Sequence, residues 1–387
     1  MKKLAIIGAS YLQLPLIEKA KSMDIETHVF AWAANDVGEH AADYFYPISI
    51  VEKEQILDKC RQIGIDGICS IASDLAMVAV NYVAEQMGLI GNSTACTMRS
   101  TNKHLMRQAF EQHGDPSPKS LLVESAGDLQ NVPLHYPVIV KPTDRSGSRG
   151  ITKLDGPNGL SEAIENAKSQ GFEKKALVEE FATGQEYSVE YISWRGEHQF
   201  LALTHKYTTG APGFIETGHL EPAPVSDETL KRVKAVVSHA LDSLGIQYGA
   251  SHSELKIDAG GHIMLIEIGG RMGGDFIGSD LVELSIGVDY VKAVIETALG
   301  EKPVLTHGTR GAAAVRFVFS QEDMDVLTKI KHKHPEWIVR EDVNTAFDHP
   351  VTDSATRFGY YLLQADNASL LRQYMPENSW TYISEWM

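Results

Sequence analysis

The stretch from Ser251 to Asp275, SHSELKIDAGGHIMLIEIGGRMGGD, restricts this chain more than any other segment. Its alternation predicts two short strands joined by a tight turn at Asp258-Ala259-Gly260-Gly261, because neighbouring strand residues point to opposite faces. Ser253, Leu255 and Ile257 then share one face and Glu254 takes the other. Glu254 and Glu267 are thirteen residues apart, one on each arm, so the hairpin brings two carboxylates together across the ladder. Such a pair repels unless a cation lies between. Mg²⁺ fits there, since it prefers a few carboxylate oxygens completed by phosphate oxygens. Arg271 follows four residues after Glu267, among glycines 269, 270, 273 and 274. Guanidinium and open backbone at that place can meet a transferring phosphoryl group. Two glutamates on a hairpin are by themselves more often solvated, so the rest of the chain must decide.

The 387 residues suit two or three packed domains. An apolar content of 43% and a charged content of 22% are those of an ordinary globular enzyme. No run approaches the roughly 18 apolar residues of a membrane span. The opening Met1-Lys2-Lys3 leads straight into LAIIGAS, too short for a signal peptide and readable as a first strand. A net charge of −16 with no basic patch argues against nucleic-acid binding. Cys60, Cys69 and Cys96 are odd in number and lack ligand spacing, as expected of buried thiols in a reducing cytoplasm. The 15 histidines include no HExxH pair, which leaves a zinc hydrolase unsupported.

Residues 1 to about 90 alternate strand and helix: strands at Leu4–Ile7, Glu26–Phe30, Ile48–Val51 and Gly67–Ile71, helices between and after them. That order predicts a parallel sheet of βαβ units. The turn Gly8-Ala9-Ser10-Tyr11-Leu12-Gln13 lacks GxGxxG, and no acidic residue closes the second strand, so a nicotinamide site is the weaker reading. The turn still makes a wall for a small ligand. Thr101 is placed to cap a helix from Asn102 to about His113, with Lys103 in its first turn. A lysine is not the charge a helix N-terminus prefers, which points to an anion nearby.

Pro137-Val-Ile-Val-Lys141-Pro142 reads as a strand, followed by Thr143-Asp144-Arg145-Ser146-Gly147-Ser148-Arg149-Gly150. Small residues and glycines let backbone N–H groups approach phosphate oxygens. It is not a Walker A loop, since the lysine precedes the glycines. Next come a helix over Gly159–Gly171, a strand Ala176–Phe181 and a strand Glu186–Trp194. The edge from Glu179 to Phe181 offers a carboxylate, carbonyls and N–H groups to an adenine, and Glu186 can accept from ribose hydroxyls.

The lysine helix, the PVIVKP strand with its Gly/Ser loop, EEFATGQEYSVE, and the paired glutamates followed by arginine occur in that order. Together they resemble the ATP-grasp superfamily over about residues 1–310. The resemblance implies mixed α/β and α+β architecture: a Rossmann-like amino-terminal domain at 1–98 and an ATP-grasp domain at 99–310 with a lid at about 118–184. A small carboxyl-terminal α/β region at 311–387, opened by the apolar strand AAAVRFVF, follows. It also implies ATP contacts at Lys103, Lys141, Ser146, Gly147, Ser148, Arg149, Gly150, Glu179, Glu180, Phe181, Ala182, Glu186 and Leu265. Glu254 and Glu267 would hold Mg²⁺, with Mn²⁺ as the alternative ion, while Lys141 and Arg271 serve phosphoryl transfer. Many members carry asparagine two positions after the second metal glutamate; here Gly269 stands there, which leaves open whether one or two metals are held.

The segment Lys206–Pro224, KYTTGAPGFIETGHLEPAP, is similar to the substrate loop of bacterial L-amino-acid ligases of the bacilysin-synthetase type. Glu216 and His219, 38 and 35 residues before Glu254, match the pocket residues of those relatives, with Arg271 beside them. The implied activity is ATP-dependent joining of a carboxylate to an amine through an acyl-phosphate, in a cytoplasmic protein; homodimers are common among similar proteins, though nothing in the sequence shows an interface. The alternatives are a ligase like the glycinamide-ribonucleotide or carbamoyl-phosphate synthetases, or a non-catalytic nucleotide-binding module. Trp337, Phe347, Tyr360, Tyr361 and Trp380 read as core aromatics of the carboxyl-terminal region.

Overall fold

The computed structural model describes residues 1–145, 147, 149–308 and 311–376. The chain opens with strands β1 (Lys3–Ile7), β2 (Glu26–Phe30), β3 (Tyr44–Tyr46) and β4 (Gly67–Cys69), all parallel in the order β3-β2-β1-β4. Leu4, Ala5, Ile6 and Ile7 are completely buried, as a parallel strand covered on both faces requires. The third strand lies at Tyr44–Tyr46, not at the expected Ile48–Val51. Pro47 follows it directly and has no N–H with which to continue a ladder.

A second sheet is antiparallel, with β5 (Ser120–Val123), β6 (Val138–Pro142), β7 (Thr152–Leu154) and β8 (Ala176–Glu180) in the order β5-β8-β6-β7. Its apolar face packs on the helix Leu160–Gln170 through Ala163, Ile164 and Ala167. The third sheet has eight antiparallel strands: β9 (Gln185–Trp194), β10 (Glu197–Thr208), β11 (Glu216–Glu221), β12 (Tyr248–Ile257), β13 (Ile263–Gly269), β14 (Ala312–Phe317), β15 (Ile338–Val343) and β16 (Gly359–Ala365). Their order is β13-β12-β9-β10-β11-β14-β16-β15. One face of its first strands buries Val189, Leu203, Leu255 and Leu265 against the helix Asp227–Leu244. That helix is amphipathic, capped by Ser226, which accepts from the Thr229 N–H, and stopped by Gly245 at φ 79°.

The carboxyl-terminal strands extend this sheet rather than forming one of their own, because β11 pairs with β14. Of the aromatics expected in that core, Tyr361 and Trp337 are buried and Phe347 packs at their margin. Tyr360 instead faces Phe276, and Trp380 lies outside the described residues. Cys60, Cys69 and Cys96 are buried free thiols, each pushed up to about 12 by burial. Among the described residues no helix is long and apolar enough to cross a membrane.

Candidate active site

Strands β12 and β13 form the expected hairpin, and Glu254 is the ladder partner of Glu267. The register then slips, from Glu254–Glu267 to Leu255–Leu265, leaving Ile266 as an extra residue in β13. The bulge reverses which residues face inward. Leu265, expected at the nucleotide, is fully buried in the apolar core, and its neighbour Ile266 lines the cleft. That expectation is corrected by the bulge, which no local pattern announces.

The cleft lies between the second sheet and the near end of the third and is open to solvent, as small-molecule sites between packed layers commonly are. Lys103, Lys141, Gly147, Glu179, Glu180, Phe181, Ala182, Glu186, Glu216, Glu254, Glu267 and Arg271 all border it. Arg149 borders an adjoining pocket that shares Lys103 and Glu267 with the cleft. Gly150 borders neither, and Ser146 and Ser148 lie outside the described residues. Residues from 103 to 271 thus converge, although they come from three different packing layers.

Lys103 opens the helix Lys103–His113, whose cap is Asn102 rather than the expected Thr101: its side chain accepts from the His104 and Leu105 N–H groups. The cap fixes the direction of the first turn, and the Lys103 ammonium donates to Glu267 Oε1 at 2.7 Å and to the Arg145 carbonyl at 2.7 Å. Lys141, at the end of β6, lies 2.6 Å from Glu179 Oε2, and Arg107 Nε lies 2.9 Å from Glu179 Oε1. Burial alone would raise the Glu179 carboxyl; Lys141 and Arg107 together hold it down at about 2. Lys141 moves down as well, chiefly by burial and then by Arg107 and Lys103, which outweigh Glu179. One carboxylate facing two buried cations accounts for both directions. The carboxylate of Glu179 is therefore not the free acceptor expected at an adenine edge. The N–H groups of Glu180 and Phe181 are also engaged, donating to the carbonyls of Lys119 and Pro137.

Arg271 is held bidentately by Asp74, Nε to Oδ1 at 2.9 Å and Nη2 to Oδ2 at 2.8 Å. Asp74 begins the helix Asp74–Met87 against the first sheet, so the amino-terminal region aims this guanidinium. A Cβ at Gly269 would stand 2.5 Å from Asp74 Oδ1 and 3.1 Å from Arg271 Nε. An asparagine at that position would displace the pair, which accounts for the glycine. Gly273 is constrained in the same way: its N–H donates to Glu190 Oε2 at 3.0 Å, and a Cβ there would meet the His252 ring at 2.7 Å. His252 hydrogen-bonds Glu190 through Nδ1 and lies 3.4 Å from Glu254 Oε1 through Nε2. Burial works against the charge on His252, and Glu190 more than offsets it, so the imidazole is raised.

Of the segment expected as a substrate loop, residues 206–208, Lys206 included, end β10 and Glu216–Glu221, with His219, form β11, while residues 209–215 and 222–224 are irregular. Glu216 borders the cleft and accepts from Ser354 Oγ at 3.1 Å, while its own carbonyl accepts from Arg357. Arg357 is bidentate to Asp275 and lies 3.6 Å over the Phe317 ring. The carboxyl-terminal region thus reaches the site, a contribution carried by no sequence motif. His219 does not border the cleft. It is 1% exposed, set edge-on to Phe317, with neither ring nitrogen bonded. Burial, then Lys206 and Arg357, depress it well below the ordinary histidine range.

Sequence reasoning also missed Lys206, which is 3% exposed and reaches Glu254 Oε1 at 2.5 Å, Glu186 Oε1 at 3.2 Å and Glu216 Oε1 at 3.8 Å. Burial alone would raise Glu254; Lys206 and His252 hold it well below the carboxylate range. Glu216 is raised, by burial first, with Asp275 adding to the effect and Lys206 opposing it. Among the described residues no three acidic, imidazole or thiol groups form a complete metal site. Two hard carboxylates opposed across a ladder fit Mg²⁺ only where ligand oxygens finish the shell.

Residues 134–280 match the model of the ATP-grasp domain. The alanine–anticapsin ligase of Bacillus subtilis is 28% identical over 245 residues, 57% of this chain and 51% of that protein. Human carnosine synthase 1 is 24% identical over 338 residues, 79% of this chain and 40% of that one. This chain therefore spans about half the length of the curated relatives it matches. The L-amino acid ligase structure from Bacillus licheniformis superposes with a TM-score of 0.83, covering 97% of this chain and 96% of that one at 23% identity. The chain thus carries an ATP-grasp domain at residues 134–280, running through the strands that build the cleft.

Proposed function

We propose that this protein is an ADP-forming ligase that joins a carboxylate to an amine, with an amino acid as one substrate. The observation that carries this reading is the arrangement around Glu254 and Glu267: two carboxylates opposed on adjacent strands, Lys103 and Lys141 beside them, and Arg271 locked by Asp74 at their edge. In this reading Glu254 and Glu267 hold Mg²⁺, whose charge would offset that of the nucleotide phosphates. Lys103 and Lys141 would meet phosphate oxygens, with Gly147 beside them at the cleft wall, and Glu180, Phe181, Ala182 and Glu186 would border the adenosine. The substrate carboxylate attacks the γ-phosphorus and ADP leaves, and the amine then attacks the acyl carbon of the acyl-phosphate, displacing phosphate and giving up a proton to form the amide. Arg271, unable to lose its proton, steadies the phosphoryl oxygens while Asp74 fixes its fork. Positioning and charge neutralisation supply most of the acceleration, so no covalent enzyme intermediate is needed.

Glu216 supports the amino-acid assignment: it is a carboxylate at the cleft wall, beside the proposed metal site, suited to a substrate ammonium. The kinship with amino-acid ligases supports the same class. Three buried thiols and the absence of ion-ligating cysteine pairs among the described residues favour the cytoplasm, and a homodimer is the assembly to test first. A phosphate-release screen with MgATP against pairs of amino acids and small carboxylates, read by mass analysis for an amide, tests the whole reading. ATP turnover that no added amine or carboxylate increases, with no amide formed, would refute it.

A further inference from the structure

Lys206 leaves β10 directly opposite His219 and ends among three carboxylates supplied by three strands, Glu186 of β9, Glu216 of β11 and Glu254 of β12. An ammonium has three donors and no acceptor, so this lysine is matched to its surroundings as a small cation would be. Three clustered carboxylates are costly to desolvate without a countercharge. The fold must therefore hold a cation there before any ligand arrives. Glu254, Glu186 and Glu216 surround the Lys206 ammonium, which supplies that countercharge. Glu267 is served in the same way by Lys103, at 2.7 Å. Each glutamate assigned above to the metal already carries its own lysine.

We propose that Lys206 and Lys103 are tethered counter-ions that occupy the two metal carboxylates in the ligand-free protein and are exchanged together when the site loads. The inference rests on the metal assignment made above. A divalent ion arriving alone must displace an ammonium that then faces it across a few ångströms, which is repulsive. When an anionic ligand arrives with the ion, the carboxylates go to the metal and the freed ammonium groups go to the anion. Each charge finds an opposite partner, so metal and anion binding reinforce one another. Lys206 is in this sense a positioning residue that makes the site refuse bare Mg²⁺.

Calorimetric titration of the full chain with Mg²⁺ alone, and with ADP plus Mg²⁺, tests this. Lys206→Met removes the tethered competitor, and its affinity for Mg²⁺ alone is expected to rise at least about tenfold over wild type, about 1.4 kcal/mol. In EDTA the variant should melt below wild type, and Mg²⁺ should restore most of that loss while shifting wild type little. Lys206→Gln serves as the second variant, since its amide keeps some hydrogen bonding. Glu254→Gln separates the two ideas. If it binds Mg²⁺ with ADP as wild type does, the metal assignment fails and the counter-ion role with it. If it loses that binding while both Lys206 variants take Mg²⁺ no better than wild type, the assignment stands and the counter-ion role is overturned. Variants that fold in neither EDTA nor Mg²⁺ would also overturn it, because Mg²⁺ then cannot replace the ammonium.

Discussion

Glu179 is where the nucleotide side of the cleft is most sensitive to a single change. It is 3% exposed, holds Lys141 at 2.6 Å and Arg107 at 2.9 Å, and through them fixes cations on β6 and on the helix Lys103–His113. Its carboxyl is held from 4.5 down to about 2, which at about 1.4 kcal/mol per pKa unit corresponds to roughly 3 kcal/mol of native-state stabilisation. Removing one partner of a buried pair costs about 3–5 kcal/mol by itself, because the remaining charge is left unpaired. Glu179→Gln should therefore destabilise the protein by about 3 kcal/mol at pH 7 and weaken MgATP binding by freeing Lys141 to wander. The depressed carboxyl fixes the sign with pH: its contribution is present above about 4.5 and lost as pH falls towards about 2. Urea unfolding of both proteins, followed by fluorescence between pH 3 and pH 7, gives the comparison. A difference at pH 7 within about 0.5 kcal/mol would refute the account of Glu179 as the buried anchor of two cations.

Glu267→Gln should keep the fold and lower ligation by about a hundredfold or more, as loss of one metal carboxylate would; near-normal turnover would remove the metal assignment. Asp74→Asn should cost roughly tenfold to a hundredfold in turnover with the ATP requirement nearly unchanged, because Arg271 loses its bidentate anchor and not its charge. Turnover within about twofold of wild type would show that Arg271 needs no such support. Glu216→Ala should raise the amino-acid concentration needed by about ten- to a hundredfold while MgATP affinity holds; an unchanged amino-acid dependence would take Glu216 out of the substrate wall. Glu221 is buried and accepts from Thr204 and Ser285, and burial pushes its carboxyl up to about 7. Its protonated form is fully favourable below about 4.5, and the benefit is lost as pH rises to about 7. Glu221→Gln should therefore gain stability over wild type across that window, by up to roughly 3 kcal/mol, and thermal melts at pH 5 and pH 8 would show whether the gap widens.

The amino-acid sequence alone determined the alternation that makes a parallel first sheet, the hairpin that opposes Glu254 and Glu267, and the strand-end Lys141 with its glycine loop. These are local signals: periods of two and 3.6, turn residues, and charges at fixed offsets within one or two elements. Most residues that the family resemblance implied between positions 103 and 271 border one cleft, while Arg149, Gly150, His219 and Leu265 do not. Where the reading failed, the cause was a contact between segments far apart in the chain. The bulge at Ile266, which sends Leu265 to the core, depends on how β13 registers against β12. The strand character of Glu216–Glu221 comes from pairing with β10 and β14, which overrides a sequence rich in turn formers. Lys206 meets acids 20, 10 and 48 residues away, and Asp74 reaches Arg271 across 197 residues. Glu179 looked like a free acceptor because nothing near it in sequence reveals Arg107 and Lys141. The sequence thus determined which charges the chain carries and on which elements they sit. Tertiary structure decided which charge faces which, because desolvation makes every buried ion find a partner and the sheet order determines which partners are within reach.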